Sequence, residues 1–364
     1  MERALRAFIP PHCPRSYCRS HLCAEGWRWI HFGTYSRQCQ PQVIPRYRCL
    51  HCGATFSTQT FSTTYYLKRP ELLEPIAHRI VACSGYRQIA REARCAATSV
   101  MGQAARLGRH ALLLLDELRP RGPLTEPLVI DGFESFAFSQ YHPLHLNLAV
   151  GARSHFTYAF TFARLRRKGS MTRAQKRRRQ GIELEHGRPD PKAIETSVAD
   201  LLAIAAEPQA MTVRSDEHPA YPRALRRLHK HRIQHECTPS IEARTTNNPL
   251  FPVNLLDLLL RHNSANHKRE TIAFSKRHQS VIERAAWLIV WRNWAKHFSE
   301  RERDGTPAMR LELAETPWSV RRLLTGRRFV THTTLPASWA EYYAGRIDTP
   351  GITNPRRHTS KLAV

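Results

Sequence analysis

A short apolar run that ends in a carboxylate is the feature that most constrains how this chain folds. The run from Leu128 to Phe133 reads Leu-Val-Ile-Asp-Gly-Phe. Aliphatic and β-branched residues in so short a stretch favour a buried strand. We therefore expect a strand that delivers Asp131 at its end, where solvent or a ligand reaches it. A single acid establishes little, so its meaning depends on which other acids the fold brings beside it.

Two further acids lie in contexts that could bring them to Asp131. Asp216 follows a short apolar stretch and precedes a basic helical pattern, although alone it would as often be a helix N-cap. Asp257 lies within residues 250–262, whose leucines predict a helix buried on nearly all sides. A carboxylate in such a helix needs a partner. Either Arg261 forms an ordinary ion pair with it, or a cation is shared with Asp131 and Asp216.

The segment at residues 9–61 is marked by two short cysteine pairs with an aromatic and basic stretch between them. Each pair supplies two thiolates from one tight turn, which is what a tetrahedral zinc site needs. So small a segment could hardly form a stable core without a metal. The predicted zinc ligands are Cys13, Cys18, Cys49 and Cys52. Nearby cysteines and histidines compete for the same role: Cys23, Cys39, His12, His21 and His51.

Residues 68–119 carry three helical patterns, at 72–81, 86–93 and 99–110. Their spacing predicts a helix-turn-helix whose third helix lies in the DNA major groove. The alternative is a plain three-helix packing unit without DNA contact. Polar and basic residues around the third helix favour DNA, and the predicted contacts are Arg91, Arg94, Gln103, Arg106 and Arg109. A stretch rich in proline and glycine at 120–127 predicts a linker.

The middle of the chain continues with strand and helix patterns. Aromatic and β-branched runs at 133–138, 145–150 and 156–162 predict a sheet. The basic run Arg164–Gln180 repels itself, which predicts a mobile loop until phosphates neutralise it, a solvated surface loop being the alternative. Further patterns predict helices and one strand, in the order helix 191–206, strand 211–213, helix 221–231, helix 250–262 and helix 281–298.

Composition indicates the partner and the compartment. Lys and Arg outnumber Asp and Glu by 56 to 30, a net charge of +26 that favours a polyanionic partner. The first eight residues show no secretory signal, and the longest apolar runs are far below the roughly 20 residues that cross a bilayer. Nine cysteines, an odd number, favour metal ligation over disulfides. We expect a cytoplasmic, nucleoid-associated protein without a membrane contact.

Several segments together resemble the transposases of bacterial insertion sequences that carry an acidic DDE or DDD triad. The similar segments are Arg46–Cys49 with Cys52-Gly53, Asp131–Glu134, and Asn254–His262 followed by Lys268–Ser275. The resemblance covers most of residues 10–300. It implies an α/β fold, in which a ribonuclease-H-like mixed sheet flanked by helices is preceded by a small zinc ribbon and a helical helix-turn-helix domain. The implied organisation is a zinc ribbon at 9–61, a helix-turn-helix at 68–119, a catalytic domain at 128–300 with a basic insertion at 164–190, and a C-terminal extension at 301–364.

The resemblance also implies a catalytic site. Asp131 would lie on the first strand of the sheet, Asp216 after the fourth, and the third acid on a following helix. That family usually has Glu three residues after an Asn, where this chain has Asp257 after Asn254, so Glu283 is a substitute candidate. The three acids would hold Mg²⁺ (or Mn²⁺) for 3′-end cleavage and strand transfer. Glu134 assists them or points away from the site.

Double-stranded DNA, both the element ends and the target, is the implied partner. Four residues would lie near the scissile phosphate: Arg261, His262, Lys268 and Arg269. Because two ends are cut, the resemblance implies a homo-oligomer. A competing interpretation is a non-catalytic zinc-ribbon and helix-turn-helix regulator, or an inactivated transposase remnant. Both interpretations predict DNA binding that weakens steeply with salt, as counterions are released from phosphates.

Overall fold

The amino-terminal segment forms a small antiparallel sheet. The computed structural model describes residues 8–354 and 357–358, so the predicted absence of a secretory signal falls almost wholly outside the described residues. The strands are β1 (Trp29–Ser36), β2 (Val43–Cys49) and β3 (Thr55–Ser57), in that order across the sheet. Tyr47 and Phe56 pair across β2 and β3, and their rings contribute to an apolar cluster separate from the main core.

Three helices follow, α1 (Leu73–Val81), α2 (Tyr86–Glu92) and α3 (Ala97–Leu118). All three were predicted, but α3 continues well beyond the predicted end at His110. The extension is explained by residues 111–115, an apolar run that is fully buried and prolongs the apolar face of the helix. The longest described helix therefore runs through the interior of the molecule.

The main sheet has five strands, β4 (Leu128–Phe136), β5 (Pro143–Gly151), β6 (Thr157–Arg164), β7 (Ala210–Ser215) and β8 (Arg232–Cys237). Their order across the sheet is β6-β5-β4-β7-β8. The pairs β4–β5 and β5–β6 are antiparallel, whereas β4–β7 and β7–β8 are parallel. The sheet is mixed and flanked by helices, which confirms the predicted α/β class.

The sequence predicted that the strand would end at Asp131, but β4 continues beyond that residue. Residues 128–136 pair without interruption with β5, so Asp131 lies in mid-strand opposite Leu148. Gly132 makes the continuous strand possible, because a Cβ atom there would lie 1.5 Å from Cε1 of His145. The His145 ring is buried and hydrogen-bonds through Nδ1 to Oδ1 of Asn147 at 2.7 Å, so it has little room to move.

Gly132→Ala is therefore expected to destabilise the protein. Overpacking of a buried site typically costs about 1–3 kcal/mol of unfolding free energy. Gly102→Ala is the matched control, because nothing lies within 4 Å of a Cβ at that helical position. There the change should stabilise by up to about 1 kcal/mol. Chemical denaturation of both variants measures the difference, and equal stabilities would contradict this account of β4.

Five helices lie between or after these strands: α4 (Arg173–His186), α5 (Ala193–Ala205), α6 (Ala220–Leu225), α7 (Phe251–Asn263) and α8 (His278–Trp294). Of these, α5, α7 and α8 pack against the sheet. Helix α8 packs against α3 on one side and the sheet on the other. Its Trp287 is fully buried and donates from Nε1 to the carbonyl of Ala77 at 2.9 Å. Helix α7 is less buried than predicted, since Leu258 is 59% exposed.

The basic run Arg164–Gln180 was predicted to be a mobile loop, and that prediction is wrong for residues 173–180, which belong to helix α4. The helix begins with a capping box, in which Oγ1 of Thr172 accepts from the amide of Gln175 at 3.2 Å. Glu183 accepts from Arg166 at 2.8 Å, which joins the helix to the segment before it. Helix α4 has no fully buried residue, and Arg173, Lys176, Arg177 and Arg178 are exposed, whereas the Arg179 side chain is partly covered.

The predicted helix at 221–231 is also wrong in its second half. Helix α6 ends at Leu225, and β8 follows at the edge of the sheet. The sequence Arg-Ile-Gln-His-Glu-Cys of β8 contains few apolar residues, because an edge strand is only partly buried.

The segment after residue 300 is part of the core. It contains the short helices α9 (Pro307–Arg310), α10 (Val320–Leu323) and α11 (Ala337–Tyr343). Trp339 of α11 is fully buried and donates from Nε1 to the carbonyl of Phe160 at 2.9 Å. In the part of the chain that the structure describes, no helix has the length and apolar character to span a membrane.

Candidate active site and metal centre

Asp131 lies in the middle of β4 with its side chain largely enclosed. Its Oδ1 accepts from the amide of Gly132 at 2.6 Å and from the Tyr221 hydroxyl at 3.2 Å. Burial raises the pKa of Asp131, and the nearby carboxylate of Asp216 raises it further. A nearby cation would stabilise the ionised form of such a buried carboxylate, because it would replace the water that burial removes.

Asp216 follows directly after β7, the strand parallel to β4 in the sheet. Its Oδ1 accepts from the amide of His218 at 2.9 Å, which fixes the turn into α6. The sequence alone left an N-cap role open for this residue. The electrostatic interaction with Asp131 shows that the two carboxylates lie near each other in the fold.

Asp257 projects from α7, which packs against β4 and β5. Its Oδ1 is buried, and among the described residues no group hydrogen-bonds to that oxygen. Burial raises the pKa of Asp257 to about 8, and Asp131 contributes to the rise, whereas Arg261 and Arg244 oppose it. An enclosed carboxylate without a hydrogen-bond donor is costly unless a ligand compensates.

Arg261 is not the ion-pair partner that one reading of the sequence offered. Its guanidinium carbon lies 4.5 Å from the centroid of the Phe133 ring, and Nη1 donates to the carbonyl of His267 at 3.2 Å. In the described part of the chain, no ion pair joins Arg261 to Asp257. Of the two alternatives that the sequence left open for Asp257, the ordinary ion pair with Arg261 is therefore not found among the described residues.

The pH dependence of stability follows from this enclosed carboxylate. The folded-state pKa of Asp257 lies near 8, above the ordinary value of 3.8. The unfolded chain therefore binds fewer protons between these values, and stability falls as the pH rises through that window. In metal-free buffer, the wild type should lose stability relative to Asp257→Asn by at most about 1.4 kcal/mol per pH unit. Parallel curves from urea unfolding at pH 4.5 to 8 would contradict the assignment.

Tyr221 is a residue of the candidate site that the sequence did not reveal. It is fully buried in α6, and its hydroxyl donates to Asp131. Burial raises its pKa, and the three carboxylates of Asp131, Asp216 and Asp257 each raise it further. The hydroxyl therefore lies close to all three acids. Its position shortly after Asp216 in the chain was the available signal, but the pattern at 221–231 indicated only a basic helix.

The three acids are neighbours without forming one tight cluster. Among the described residues, two groups have all their potential ligand atoms within 4.8 Å of one another, and neither includes these carboxylates. Asp131 interacts electrostatically with Asp216 and with Asp257, so it is the central member. A carboxylate near two others could help to hold a cation, and the unpaired oxygen of Asp257 fits such a group.

The other acidic candidates lie elsewhere. Glu134 is exposed on β4, where it interacts with His145. Glu283 is buried between α8 and α3, since a Cβ on Gly108 would lie 2.5 Å from its own Cβ. Burial raises the pKa of Glu283 to about 7, while Arg109 opposes the rise. Its neighbours therefore belong to the helix interface, and Asp257 is the acid beside Asp131.

The predicted DNA contacts fall into two classes. Gln103 is only 6% exposed, Arg106 donates to the carbonyl of Thr63 at 2.9 Å, and Arg109 faces Glu283. These three side chains lie on a face of α3 that other parts of the protein cover. They could contact bases in the DNA major groove only if those parts of the protein moved away. The exposed candidates are Arg91, Arg94, His262, Lys268 and Arg269, while Arg261 is partly covered.

The four predicted zinc ligands lie together. Sγ of Cys13 is 3.7 Å from Sγ of Cys52, and Sγ of Cys18 is 3.9 Å from Sγ of Cys49. All four sulfurs lie within 4.8 Å of one another. A tetrahedral zinc ion with bonds of about 2.3 Å separates its sulfurs by about 3.8 Å. The cluster could therefore hold a metal such as zinc.

Hydrogen bonds prepare one of these thiols to act as a ligand. Burial of the Cys49 thiol raises its pKa, but hydrogen bonds from the indole of Trp27 and from the amides of Cys52 and His51 outweigh this effect. The pKa of Cys49 is therefore lowered to about 7. The Trp27 Nε1 lies 3.2 Å from the sulfur. Among the competing residues, Cys23 is exposed and Cys39 approaches the carbonyl of Leu67, so neither joins the cluster.

Comparison with known proteins adds little to this geometry. No protein-family model matches the chain, and no curated protein matches it. One solved structure, a cryo-EM structure of the simian T-cell lymphotropic virus intasome in complex with PP2A regulatory subunit B56 gamma, is similar to this chain at 15% sequence identity. The likeness covers 59% of this chain and 74% of that chain, with a TM-score of 0.23. A score that low carries no argument about function.

Proposed function

We propose that this chain is a DNA transposase that cleaves and transfers DNA strands with the help of divalent metal. The observation that carries the proposal is the placement of Asp216 and Asp257, two acids distant in the sequence, near Asp131, with a buried oxygen of Asp257 that lacks a hydrogen-bond donor among the described residues. The strand order, with three antiparallel strands followed by two parallel ones, supports a ribonuclease-H-like sheet.

The residues around the acids suggest how the site would work. Mg²⁺ or Mn²⁺ held by Asp131, Asp216 and Asp257 would activate first a water and then a DNA 3′ hydroxyl. Tyr221 holds Oδ1 of Asp131 by a hydrogen bond, which orients the carboxylate and leaves Oδ2 for a ligand. Exposed Arg244 interacts electrostatically with Asp131 and Asp257, so it would offset the charge of a DNA phosphate at this site.

DNA binding is supported by the charge of the chain and by its exposed helix α4. The net charge is +26, and Arg173, Lys176, Arg177 and Arg178 of that helix are all exposed. Arg91 of α2 and Arg94 in the turn after it, together with the cysteine-rich sheet, would hold the element ends. A cytoplasmic protein with this charge would remain on the nucleoid, and synapsis of two ends would require a homo-oligomer.

Removal of two charges from α4 should make DNA binding less sensitive to salt. Each phosphate contact contributes a slope of about 0.9 to the dependence of log K on log salt concentration. Lys176→Gln combined with Arg177→Gln should therefore lower the slope by about 1.8. Arg301→Gln with Arg303→Gln removes the same charge from another exposed loop. Fluorescence anisotropy at several salt concentrations measures both, and equal slopes in the two double variants would contradict a specific role for α4.

A cleavage and joining assay tests the proposed function. The substrate is a supercoiled plasmid that carries the coding sequence with its native flanking DNA, because the element ends lie there. With Mg²⁺, the wild type should nick the plasmid at defined 3′ ends and join those ends to a second DNA. EDTA should abolish both products. Absence of metal-dependent cleavage, in a preparation that binds the flanking DNA, would overturn the proposal.

The second candidate function is a non-catalytic DNA-binding regulator. It is favoured by the spacing of the acids, whose oxygens do not all lie within 4.8 Å of one another. In that case the chain protects the flanking DNA in a footprint, and Asp131→Asn leaves the footprint unchanged. The cleavage assay separates the two candidates, since both predict binding and only the transposase predicts new 3′ ends.

A further inference from the structure

Three histidines form a second group of potential metal ligands beside the cysteine cluster. His12 and His21 come from the amino-terminal segment, and His332 comes from the segment after α10. One ring nitrogen of each lies within 4.8 Å of the corresponding atoms of the other two. The centroid of the His332 ring lies 4.2 Å from that of His12 and 4.4 Å from that of His21. Residues more than 300 positions apart thus meet at one point.

Hydrogen bonds fix the tautomers of two of these histidines. Nδ1 of His12 lies 3.0 Å from the carbonyl oxygen of Cys13, and Nδ1 of His21 lies 2.7 Å from the same oxygen. A carbonyl only accepts, so both Nδ1 atoms carry the proton in the neutral rings. Each Nε2 therefore presents a lone pair. A histidine ligand that donates its other ring nitrogen to a backbone carbonyl is the usual arrangement at protein metal sites.

The remaining contacts concern the Nε2 atom of His21 and the space beside His12 and His332. Nε2 of His21 accepts from the hydroxyl of Thr331 at 2.6 Å, a bond that a metal would replace. His12 and His332 line an open cavity of about 610 Å³, together with Phe329. Three histidines with an accessible fourth position match the ligand set of open zinc sites, in which water or another small ligand completes the tetrahedron.

We propose that His12, His21 and His332 bind a second divalent transition metal, such as zinc, distinct from the ion of the four cysteines. The two sites share Cys13, whose sulfur belongs to one cluster and whose carbonyl orients two histidines of the other. A metal at the histidines would fasten the C-terminal segment to the amino-terminal sheet. This inference does not depend on the chemistry proposed for the acids.

The zinc content of the full-length protein tests the proposal. After loading with excess zinc and desalting, the wild type should retain two zinc ions per chain. His332→Ala should retain one, because His332 is exposed and its removal leaves two ligands. His31→Ala, which removes an exposed histidine outside the cluster, should retain two.

Cobalt loading distinguishes a lost site from a damaged fold. The thiolate-to-cobalt absorption of the cysteine site should be the same in His332→Ala as in the wild type, while the total cobalt falls from two ions to one. His21→Ala should give the same loss. A wild type that holds a single ion, or a His332→Ala variant that still holds two, would overturn the proposal.

Discussion

Asp131→Asn is expected to reduce metal-dependent strand cleavage by at least about a thousandfold, which corresponds to ~4 kcal/mol in activation free energy. Asp131 is the central acid, since Asp216 and Asp257 both interact with it. An amide of the same shape still accepts from Tyr221 but contributes no charge to a divalent ion. Loss of this residue should therefore remove a shared ligand of the metal, and cleavage rates at saturating DNA measure the effect.

The control for this variant is Glu315→Gln, which makes the same chemical change at an exposed carboxylate. It should cleave as the wild type does. Binding of the flanking DNA should be unchanged in both variants, so that the loss is assigned to chemistry. If Asp131→Asn cleaves within tenfold of Glu315→Gln, the acids do not hold the metal that cleaves DNA.

The sequence predicts the three antiparallel strands of the main sheet well, because their signal is local, whereas it gave no indication of β8. The runs around Leu128, His145 and Phe156 are apolar and β-branched, and they form β4, β5 and β6. The cysteine pairs are equally informative, because thiolate spacing is constrained by metal geometry. In both cases, the residues that determine the structure are close together in the chain or belong to a strict pattern.

Other features depend on contacts that the sequence does not display. The dense positive charge of residues 164–180 led to the prediction of a loop, although Thr172 and Gln175 form a capping box at the start of α4. The apolar face of α3 can be predicted from the sequence, but the burial of Gln103 and the hydrogen bond from Arg106 to the Thr63 carbonyl cannot. Tyr221 and Asp131 are 90 residues apart in the sequence, and no local sequence pattern predicts the hydrogen bond between them.

Cys49→Ser is expected to unfold the amino-terminal sheet while the five-stranded sheet remains intact. Apart from the cysteines, the apolar cluster around Tyr47 contains only a few aromatic side chains, and it is separate from the main core. Binding of a structural zinc ion contributes about 10–16 kcal/mol in small zinc domains. So small a cluster cannot offset the loss of that free energy. Amide hydrogen exchange should show lost protection in β1–β3 and retained protection in β4–β6.

Cys23→Ser is the matched control, because that thiol is exposed and lies outside the cluster. The Cys23→Ser variant should keep its bound metal, and the amides of β2 should stay protected from hydrogen exchange. Phe329 packs on the same apolar cluster, so exchange near that residue should rise together with exchange in β2 when Cys49 is replaced. If β2 stays protected in Cys49→Ser, aromatic packing alone holds the small sheet, and the four sulfurs are not a structural metal site.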